Sequence, residues 1–159
     1  MTEMTAAQSR NLHVGIDIGS TTVKAVVLDA DTNEELFGVY RRHGSQQIQA
    51  TLRVLDEIVA RFPLSHIRCA LCGSGSEDIA RGIGAPFIQE VVAGATAVRA
   101  LYPQANCTIE LGGQDAKMIF FRHDESGVQE LGDMRMNGSC AGGTGAFIDE
   151  VAEVLNIPV

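Results

Sequence analysis

One pattern occurs twice in this chain, at a constant spacing of 93 residues. In each copy an apolar run ends in an acid and a glycine, and a second apolar run that carries a lysine follows. Asp17-Ile18-Gly19 aligns with Glu110-Leu111-Gly112, and Lys24 aligns with Lys117, without a gap. Because apolar runs separated by glycine turns predict strands, the spacing predicts two copies of one strand–turn–strand unit.

The residues around the first copy predict an α/β unit. Runs rich in β-branched residues predict four strands, at 12–18, 23–28, 36–40 and 67–71. Apolar residues at helical spacing predict a helix over 45–62 with Ser45 as its N-cap, and a small-residue helix over 90–101 that ends before Pro103. The predicted order is therefore βββαβα.

The second copy begins in the same order. Strands are predicted at 107–111, at 116–121 and near 128–134, followed by a glycine-rich loop and a helix with one apolar stripe. By comparison with the first copy, one strand and one helix are missing. We therefore expect a fragment, or a subunit that needs another chain. The expected organisation is a disordered lead (1–11), a first subdomain (12–103) and the incomplete start of a second (104–159), with a cysteine-containing loop at 136–145.

The charge balance excludes several classes of partner. Twelve basic residues stand against 20 acidic ones, which gives a formal net charge of -8, and the basic residues form no cluster. Such a surface repels phosphate backbones and anionic lipids, so we expect neither nucleic-acid binding nor membrane binding. Because the chain has no apolar run of membrane-spanning length and begins with a polar segment, we expect a cytoplasmic protein.

The turn of the first copy has the composition of a phosphate-binding loop. Gly19 allows the backbone to approach a ligand, and Ser20, Thr21 and Thr22 offer hydroxyl donors. Asp17, at the end of the preceding strand, is a candidate Mg²⁺ ligand through water. The alternative is an ordinary hairpin with polar residues at its tip. Neither GxxxxGK[ST] nor GxGxxG after a strand is present, which disfavours P-loop and Rossmann sites.

The second turn is a candidate for the same chemistry. Gly112 and Gly113 would bind phosphate oxygens, and Gln114 or Asp115 would orient an attacking water as a catalytic residue. Two such hairpins on two similar units could clamp the phosphates of one nucleotide from both sides, which suits electrostatic stabilisation of phosphoryl transfer.

These residues resemble those of a known superfamily. Gly15-Ile16-Asp17-Ile18-Gly19-Ser20-Thr21-Thr22 with Lys24 resembles the first phosphate loop of the acetate and sugar kinase, Hsc70 and actin superfamily, and Glu110-Leu111-Gly112-Gly113-Gln114-Asp115 resembles its second. The segment Met136-Asn137-Gly138-Ser139-Cys140-Ala141-Gly142-Gly143-Thr144-Gly145 narrows the resemblance to the BadF/BadG/BcrA/BcrD group. The implied fold is the ribonuclease H-like (actin-like ATPase) unit.

The resemblance implies an ATP-driven electron donor. In this group a homodimer holds one [4Fe-4S] cluster between its subunits, and turnover of MgATP to ADP drives an electron into a 2-hydroxyacyl-CoA dehydratase or a benzoyl-CoA reductase. Ferredoxin or flavodoxin is the implied electron donor. Cys140 matches the first cluster cysteine, and a helix N-terminus favours a thiolate there. No cysteine follows Cys140. We therefore expect ATPase activity of the full-length protein, and expect this chain alone to be incomplete.

Five other residues have both a structural and a functional interpretation. Cys69 and Cys72 have the spacing of a zinc or redox pair, but residues three apart on a strand face opposite ways, so buried structural thiols are favoured. Cys107 is interpreted as core filler. Lys24 and Lys117 are interpreted as solvated strand residues, with phosphate contact as the alternative.

Three histidines near strand ends and turns are interpreted as surface residues: His13, His43 and His123.

Two rival functions remain open from the residues alone. The first is a kinase of the same superfamily that phosphorylates a small acid or sugar, in which case Cys140 would be incidental. Labelled phosphate on an acceptor would favour this kinase. The second is a non-catalytic module that only binds nucleotide, and nucleotide affinity without turnover or iron would favour it.

Overall fold

The structure is a computed structural model that describes residues 9–113, 115–136 and 145–158. The chain forms two compact units, Met1–Ile88 and Gln89–Val159. Across the described part of the chain, no helix combines the length and the apolarity that crossing a bilayer requires.

The first unit contains the complete βββαβα order. Its elements are β1 (Asn11–Ile18), β2 (Thr22–Asp29), β3 (Glu35–Arg42), α1 (Gln47–Arg61), β4 (His66–Cys72) and α2 (Glu77–Ile83). The sheet order is β3-β2-β1-β4, in which β1 pairs with β4 in parallel and the other neighbours are antiparallel. The four predicted strands and the first predicted helix are therefore confirmed to within two residues at nearly every end.

The core of this unit lies on one face of the sheet. Alternate residues of β1 and β2 point to this face, which we call the inner face, because side chains alternate along a strand. Ile16, Ile18 and Val23 are at most 1% exposed there. Val54 and Ile58 of α1 belong to the same buried cluster, so α1 covers the inner face.

The second unit contains one helix ahead of its strands. Its elements are α3 (Glu90–Leu101), β5 (Cys107–Leu111), β6 (Ala116–His123), β7 (Gln129–Met136) and α4 (Gly145–Leu155). The strands form an antiparallel sheet in the order β5-β6-β7. Ala95 of α3 is buried together with Ile119 and Phe121 of β6, so α3 covers one face of this sheet.

The 93-residue repeat is confirmed in the strand register. Asp17 pairs with Lys24 across β1 and β2, and Glu110 pairs with Lys117 across β5 and β6. The turns also match. The Gly19 amide donates to the Thr22 carbonyl at 2.9 Å, and the Gly112 amide donates to the Asp115 carbonyl at 2.8 Å. The two hairpins therefore share one geometry.

Three details differ from the predicted elements. Helix α2 was not predicted, because its seven residues are too short for a helical period to stand out. Helix α3 was predicted to end the first subdomain, but it packs on the second sheet and lies in the second compact unit. Ser45 was predicted to cap α1, but α1 begins at Gln47, and Ser45 has a φ of +63°.

Candidate functional site

The first predicted phosphate loop is a tight turn between β1 and β2. The hydrogen bond from Gly19 to the Thr22 carbonyl closes this turn. Ser20 is half-buried and Thr21 is exposed, so both can meet a ligand. Thr22 is buried at the start of β2, with 5% of its surface exposed. The loop therefore offers two of the three predicted hydroxyls to solvent.

Asp17 lies directly before this loop, and its two carboxylate oxygens have different surroundings. Its Oδ2 accepts a hydrogen bond from Lys24 Nζ at 2.8 Å. Its Oδ1 is buried, and within the described residues it has no hydrogen-bond partner. A buried carboxylate oxygen without a partner is costly in a folded protein, so such an atom is a candidate ligand for a cation or a donor.

A second loop, Gly73-Ser74-Gly75, closes over the end of β1. The Gly75 amide donates to the Ile18 carbonyl at 2.9 Å. Gly73 has a φ of +98°, and a Cβ at this position would overlap Asp17 Oδ1 and the Ile18 carbonyl. Only glycine therefore allows this close approach. Sequence patterns did not identify this loop as a neighbour of Asp17.

His43 forms hydrogen bonds with the first loop, and the sequence analysis did not identify it as part of the site. It was predicted to be a surface residue, which is wrong, because only 5% of it is exposed. Its backbone amide donates to the Thr21 carbonyl at 3.1 Å. The Ser45 amide donates to Nδ1 at 3.1 Å, so the proton of the neutral ring is on Nε2, which donates to the Gly19 carbonyl at 3.1 Å.

Gln47, the first residue of α1, adds to this support. Its Nε2 donates to the same Gly19 carbonyl at 3.3 Å. A Cβ at Gly75 would lie 2.8 Å from Gln47 Nε2, so the second loop also packs closely against this side chain. The carbonyl of Gly19 is thus fixed by two side chains that sequence patterns did not identify.

The equivalent turn of the second unit is organised around Lys117. Its Nζ lies 3.0 Å from Glu90 Oε2, 3.3 Å from Asp115 Oδ2 and 3.8 Å from Glu110 Oε1. Only 5% of the lysine side chain is exposed, so the interpretation of Lys117 as a solvated residue is wrong. Lys24 remains 41% exposed at the side chain.

The charge state of Lys117 follows from these neighbours. Burial alone would lower the pKa of its ammonium group, but the hydrogen bond to Glu90 and the charges of Glu110 and Glu90 outweigh burial. The pKa of Lys117 is therefore raised above its ordinary value, and the lysine stays charged. Asp115, a predicted catalytic residue, is held by this cation, and a Cβ at Gly112 would lie 2.7 Å from Asp115 Oδ1.

Some predicted site residues lie outside the described part of the chain. These are Gln114 and Cys140, together with the rest of the loop at 137–144. Gly113 is described and is half-buried beside Gly112.

The three described cysteines differ in burial. Cys69 and Cys72 are half-buried, and burial raises the pKa of the Cys69 thiol. Cys107 was predicted to be core filler, which is wrong, because it is exposed. The physical reason is that α3 covers the other face of the second sheet. Among the described residues, no three His, Cys, Asp or Glu side chains are grouped to hold a metal.

The donor set at Asp17 fits Mg²⁺ bound together with phosphates. Magnesium prefers oxygen ligands, and it is usually held by one or two carboxylates, several waters and phosphate oxygens. Asp17 supplies one carboxylate with an unpartnered oxygen, and the exposed Thr21 lies in the adjoining turn. A protein site with a single carboxylate is sufficient when the ligand brings its own phosphates.

Comparison with known proteins identifies relatives over nearly the whole chain. Residues 14–159 match the profile described as the BadF/BadG/BcrA/BcrD ATPase family. The (R)-2-hydroxyglutaryl-CoA dehydratase activating ATPase of Acidaminococcus fermentans is 27% identical over 148 residues, which is 92% of this chain and 54% of that protein. The activator of lactoyl-CoA dehydratase of Anaerotignum propionicum is 32% identical over 154 residues, which is 89% of this chain and 53% of that protein.

A solved structure agrees with these relatives. It is the activator of the 2-hydroxyisocaproyl-CoA dehydratase from Clostridium difficile with bound ADPNP, which is 28% identical, has a TM-score of 0.75, and is matched over 92% of this chain and 53% of that chain. The predicted fold class, an actin-like α/β unit followed by the start of a second, is confirmed by this match. The chain spans about half the length of the curated relatives it matches.

Proposed function

Because the chain belongs to the BadF/BadG/BcrA/BcrD ATPase family, we propose that it supplies the phosphate-binding part of an ATPase that activates a CoA-ester dehydratase. Its relatives include activators of three such dehydratases, which supports this class of partner. The observation that carries the proposal is the buried, unpartnered Oδ1 of Asp17 beside a turn held in place by His43 and Gln47.

In this proposal, different residues of the chain bind the nucleotide and orient the water that hydrolyses it. The Gly19 turn, with Ser20 and Thr21, binds phosphate oxygens of ATP or ADP, and Asp17 holds the associated Mg²⁺ through oxygen. Lys24 holds Asp17 in place through the 2.8 Å ion pair. In the second unit, Gly112 and Gly113 bind phosphate, and Asp115 or Gln114 orients the attacking water. Lys117 fixes the position of Asp115.

The cofactor of electron transfer is proposed on the family resemblance. Cys140 would supply one thiolate to a [4Fe-4S] cluster shared by two copies of the chain, and the chemistry of that cluster would be low-potential electron transfer to the dehydratase. Cys140 lies in the glycine-rich loop that precedes α4, which begins at Gly145. Ferredoxin or flavodoxin is the proposed donor.

The nucleotide site is tested with Asp17→Asn. The amide keeps the size of the side chain but removes the negative charge that a magnesium ion needs. We expect isothermal titration calorimetry to show at least a tenfold loss of MgADP affinity, and little change for ADP in EDTA. The matched control is Asp29→Asn, since Asp29 is a half-buried residue at the end of β2 whose Oδ1 accepts turn hydrogen bonds that an asparagine retains. Equal MgADP affinity for Asp17→Asn and the wild type would contradict the proposed site.

The cluster is tested separately. We expect anaerobic purification of the full-length protein to yield about four iron and four acid-labile sulfide per dimer, and loss of both in Cys140→Ser. Cys107→Ser is the matched control, because Cys107 is an exposed thiol outside the predicted cluster loop. Iron retained by Cys140→Ser, or absent from the wild type, would contradict cluster binding at Cys140 without affecting the nucleotide test.

A further inference from the structure

The loop Gly73-Ser74-Gly75, here called the β4 loop, lies against one oxygen of the proposed magnesium ligand. Asp17 as a whole is not deeply buried, because 27% of its side chain is exposed. Its Oδ1, by contrast, is buried, and no described residue forms a hydrogen bond with it. A Cβ on Gly73 would overlap this oxygen, so the backbone of Gly73 lies directly against it. The β4 loop therefore shields Oδ1 from solvent.

This contact limits what can reach the carboxylate. The other oxygen, Oδ2, already accepts a hydrogen bond from Lys24 at 2.8 Å. A magnesium ion lies about 2.1 Å from each oxygen that it binds, and an intervening water needs more room still. Neither arrangement fits at Oδ1 while Gly73 occupies its position against that oxygen. Binding of magnesium through Oδ1 of Asp17 consequently requires Gly73 to move.

The β4 loop is held in its position by hydrogen bonds of its own. The Gly75 amide donates to the Ile18 carbonyl at 2.9 Å, which attaches the loop to β1. The buried Ser76 donates to the Gly73 carbonyl through its hydroxyl at 2.8 Å and through its amide at 3.1 Å. These bonds, and not an attraction to Asp17, keep Gly73 where it is.

The balance of interactions favours a loop that can be displaced. Burying a carboxylate oxygen without a donor is unfavourable, so the contact between Gly73 and Oδ1 costs free energy that a ligand on Oδ1 recovers. Gly73 and Gly75 frame the loop, and glycine adopts a wider range of backbone angles than any other residue. The loop therefore has both a reason to move and the freedom to do so.

We propose that the β4 loop is a gate over Asp17, and that it moves away from Oδ1 when a magnesium nucleotide binds. The inference rests on the proposed function, because it concerns access to the same carboxylate. In the closed arrangement, Gly73 lies against Oδ1 and Gly75 donates to Ile18. In the open arrangement, Oδ1 faces the cation and the bond from Gly75 to Ile18 is broken. The closed arrangement lowers the apparent affinity for the magnesium nucleotide, because only open molecules bind it.

Hydrogen–deuterium exchange of the intact chain, read by mass spectrometry at single-residue resolution, measures the opening. The reporter is the Gly75 amide, whose hydrogen bond to Ile18 breaks in the open arrangement. We expect MgADP to speed exchange at this amide by about threefold, and ADP in EDTA to leave it unchanged. The Ala85 amide, which donates to the Ala80 carbonyl at 2.9 Å, is the internal control and should not change.

Gly73→Ala tests the gate from the opposite direction. Its Cβ would overlap Oδ1 of Asp17 and the Ile18 carbonyl in the closed arrangement, and a φ of +98° is unfavourable for alanine. The substitution therefore favours the open arrangement. We expect isothermal titration calorimetry to show about threefold tighter binding of MgADP and unchanged binding of ADP in EDTA.

Gly127→Ala is the matched control. Gly127 also has a positive φ, of +80°, but a Cβ there would meet no atom within 4 Å. It belongs to the turn at the opposite end of β6 from Gly112 and should leave MgADP affinity unchanged. Circular dichroism establishes that each variant folds. If Gly73→Ala does not fold, Ser76→Ala is the second variant, because it removes the hydroxyl bond to the Gly73 carbonyl and should speed exchange at Gly75 without nucleotide.

Two results would overturn the gate and leave the proposed nucleotide site intact. One is unchanged or slower exchange at Gly75 when MgADP is added to a wild type whose affinity depends on Asp17. The other is equal or weaker MgADP binding by a folded Gly73→Ala. Equal MgADP affinity of Asp17→Asn and the wild type would instead contradict the proposed function, and the gate with it.

Discussion

The two units bury opposite faces of the same hairpin. In the first unit, Ile16 and Ala25 are each 1% exposed beneath α1. Their equivalents in the second unit, Ile109 and Met118, are 61% and 37% exposed. The reverse holds on the other face, where α3 buries Ile119 but the equivalent Val26 is 39% exposed. A hairpin with apolar residues on both faces therefore does not determine which face becomes the core.

This difference shows that the helix, and not the strand, selects the buried face. In both units the strand register, the turn hydrogen bond and the acid–lysine pair are the same. The position of the packed helix differs, and the first sheet also contains the parallel strand β4. Burial of apolar area contributes roughly 25 cal/mol per Å². Side chains at equivalent positions of the repeat therefore contribute very differently to the stability of the two units. The four predictions below test this comparison.

The largest expected effect is on the inner-face isoleucines. Ile16→Ala removes a fully buried side chain, so we expect the free energy of unfolding to fall by about 3 kcal/mol. Ile109→Ala, at the equivalent position of the second unit, should change it by less than about 0.5 kcal/mol. Urea denaturation followed by circular dichroism measures both values. Equal losses in the two variants would show that the face of the second sheet opposite α3 is also covered.

The next effect concerns the two lysines. Lys117→Met leaves three carboxylates without their shared cation, and we expect a loss of about 2 kcal/mol in the free energy of unfolding. Lys24→Met removes one half-exposed ion pair and should cost less than about 1 kcal/mol.

The pH dependence gives an independent check on Lys117. Because its pKa is raised in the folded state, the stabilisation is fully present below the ordinary lysine pKa and is lost as the pH rises through the folded-state pKa. Alkaline unfolding of the wild type should therefore show a loss of stability that Lys117→Met lacks. An identical alkaline profile for the two proteins would contradict the assignment.

A smaller effect is expected at the first phosphate loop. His43→Ala removes the donor to the Gly19 carbonyl, so we expect about fivefold weaker MgADP binding and a loss of about 1 kcal/mol in stability. His43→Gln retains an amide donor of similar reach and should recover most of the affinity.

The matched control for His43 is His123→Ala. This exposed histidine also contacts a carbonyl through Nε2, that of Pro103, but it belongs to the second compact unit. It should leave MgADP affinity unchanged. If His43→Gln recovered stability but not affinity, the contribution of His43 to MgADP affinity would not come from this hydrogen bond.

The smallest effect is a difference in thiol reactivity. Burial raises the pKa of Cys69, which packs at the edge of the first core, whereas Cys107 is exposed on the uncovered face of the second sheet. At pH 8 we expect iodoacetamide to label Cys107 several-fold faster than Cys69, as measured by peptide mass spectrometry. Faster labelling of Cys69 would indicate that its strand is not packed as described.

Features encoded over a few neighbouring residues could be predicted from the sequence. These include the strands, helix α1, the glycine turns and the 93-residue repeat, because side-chain alternation and glycine turns are local properties of the chain. The candidate ligands Asp17 and Asp115 were found in the same way, since each lies next to a glycine turn.

Contacts between distant residues could only be seen in the tertiary structure. His43 reaches Gly19 across 24 residues, Gly73 packs on Asp17, and α3 packs on β6 of the second sheet. Cys107 lies on a strand with the composition of a core strand, yet it is exposed. The sequence thus determined most of the strands and helices and the positions of the glycine turns. Which face of each sheet is buried depended on helix packing, because hydrophobic burial is non-directional and is satisfied by whichever apolar surface reaches the strand.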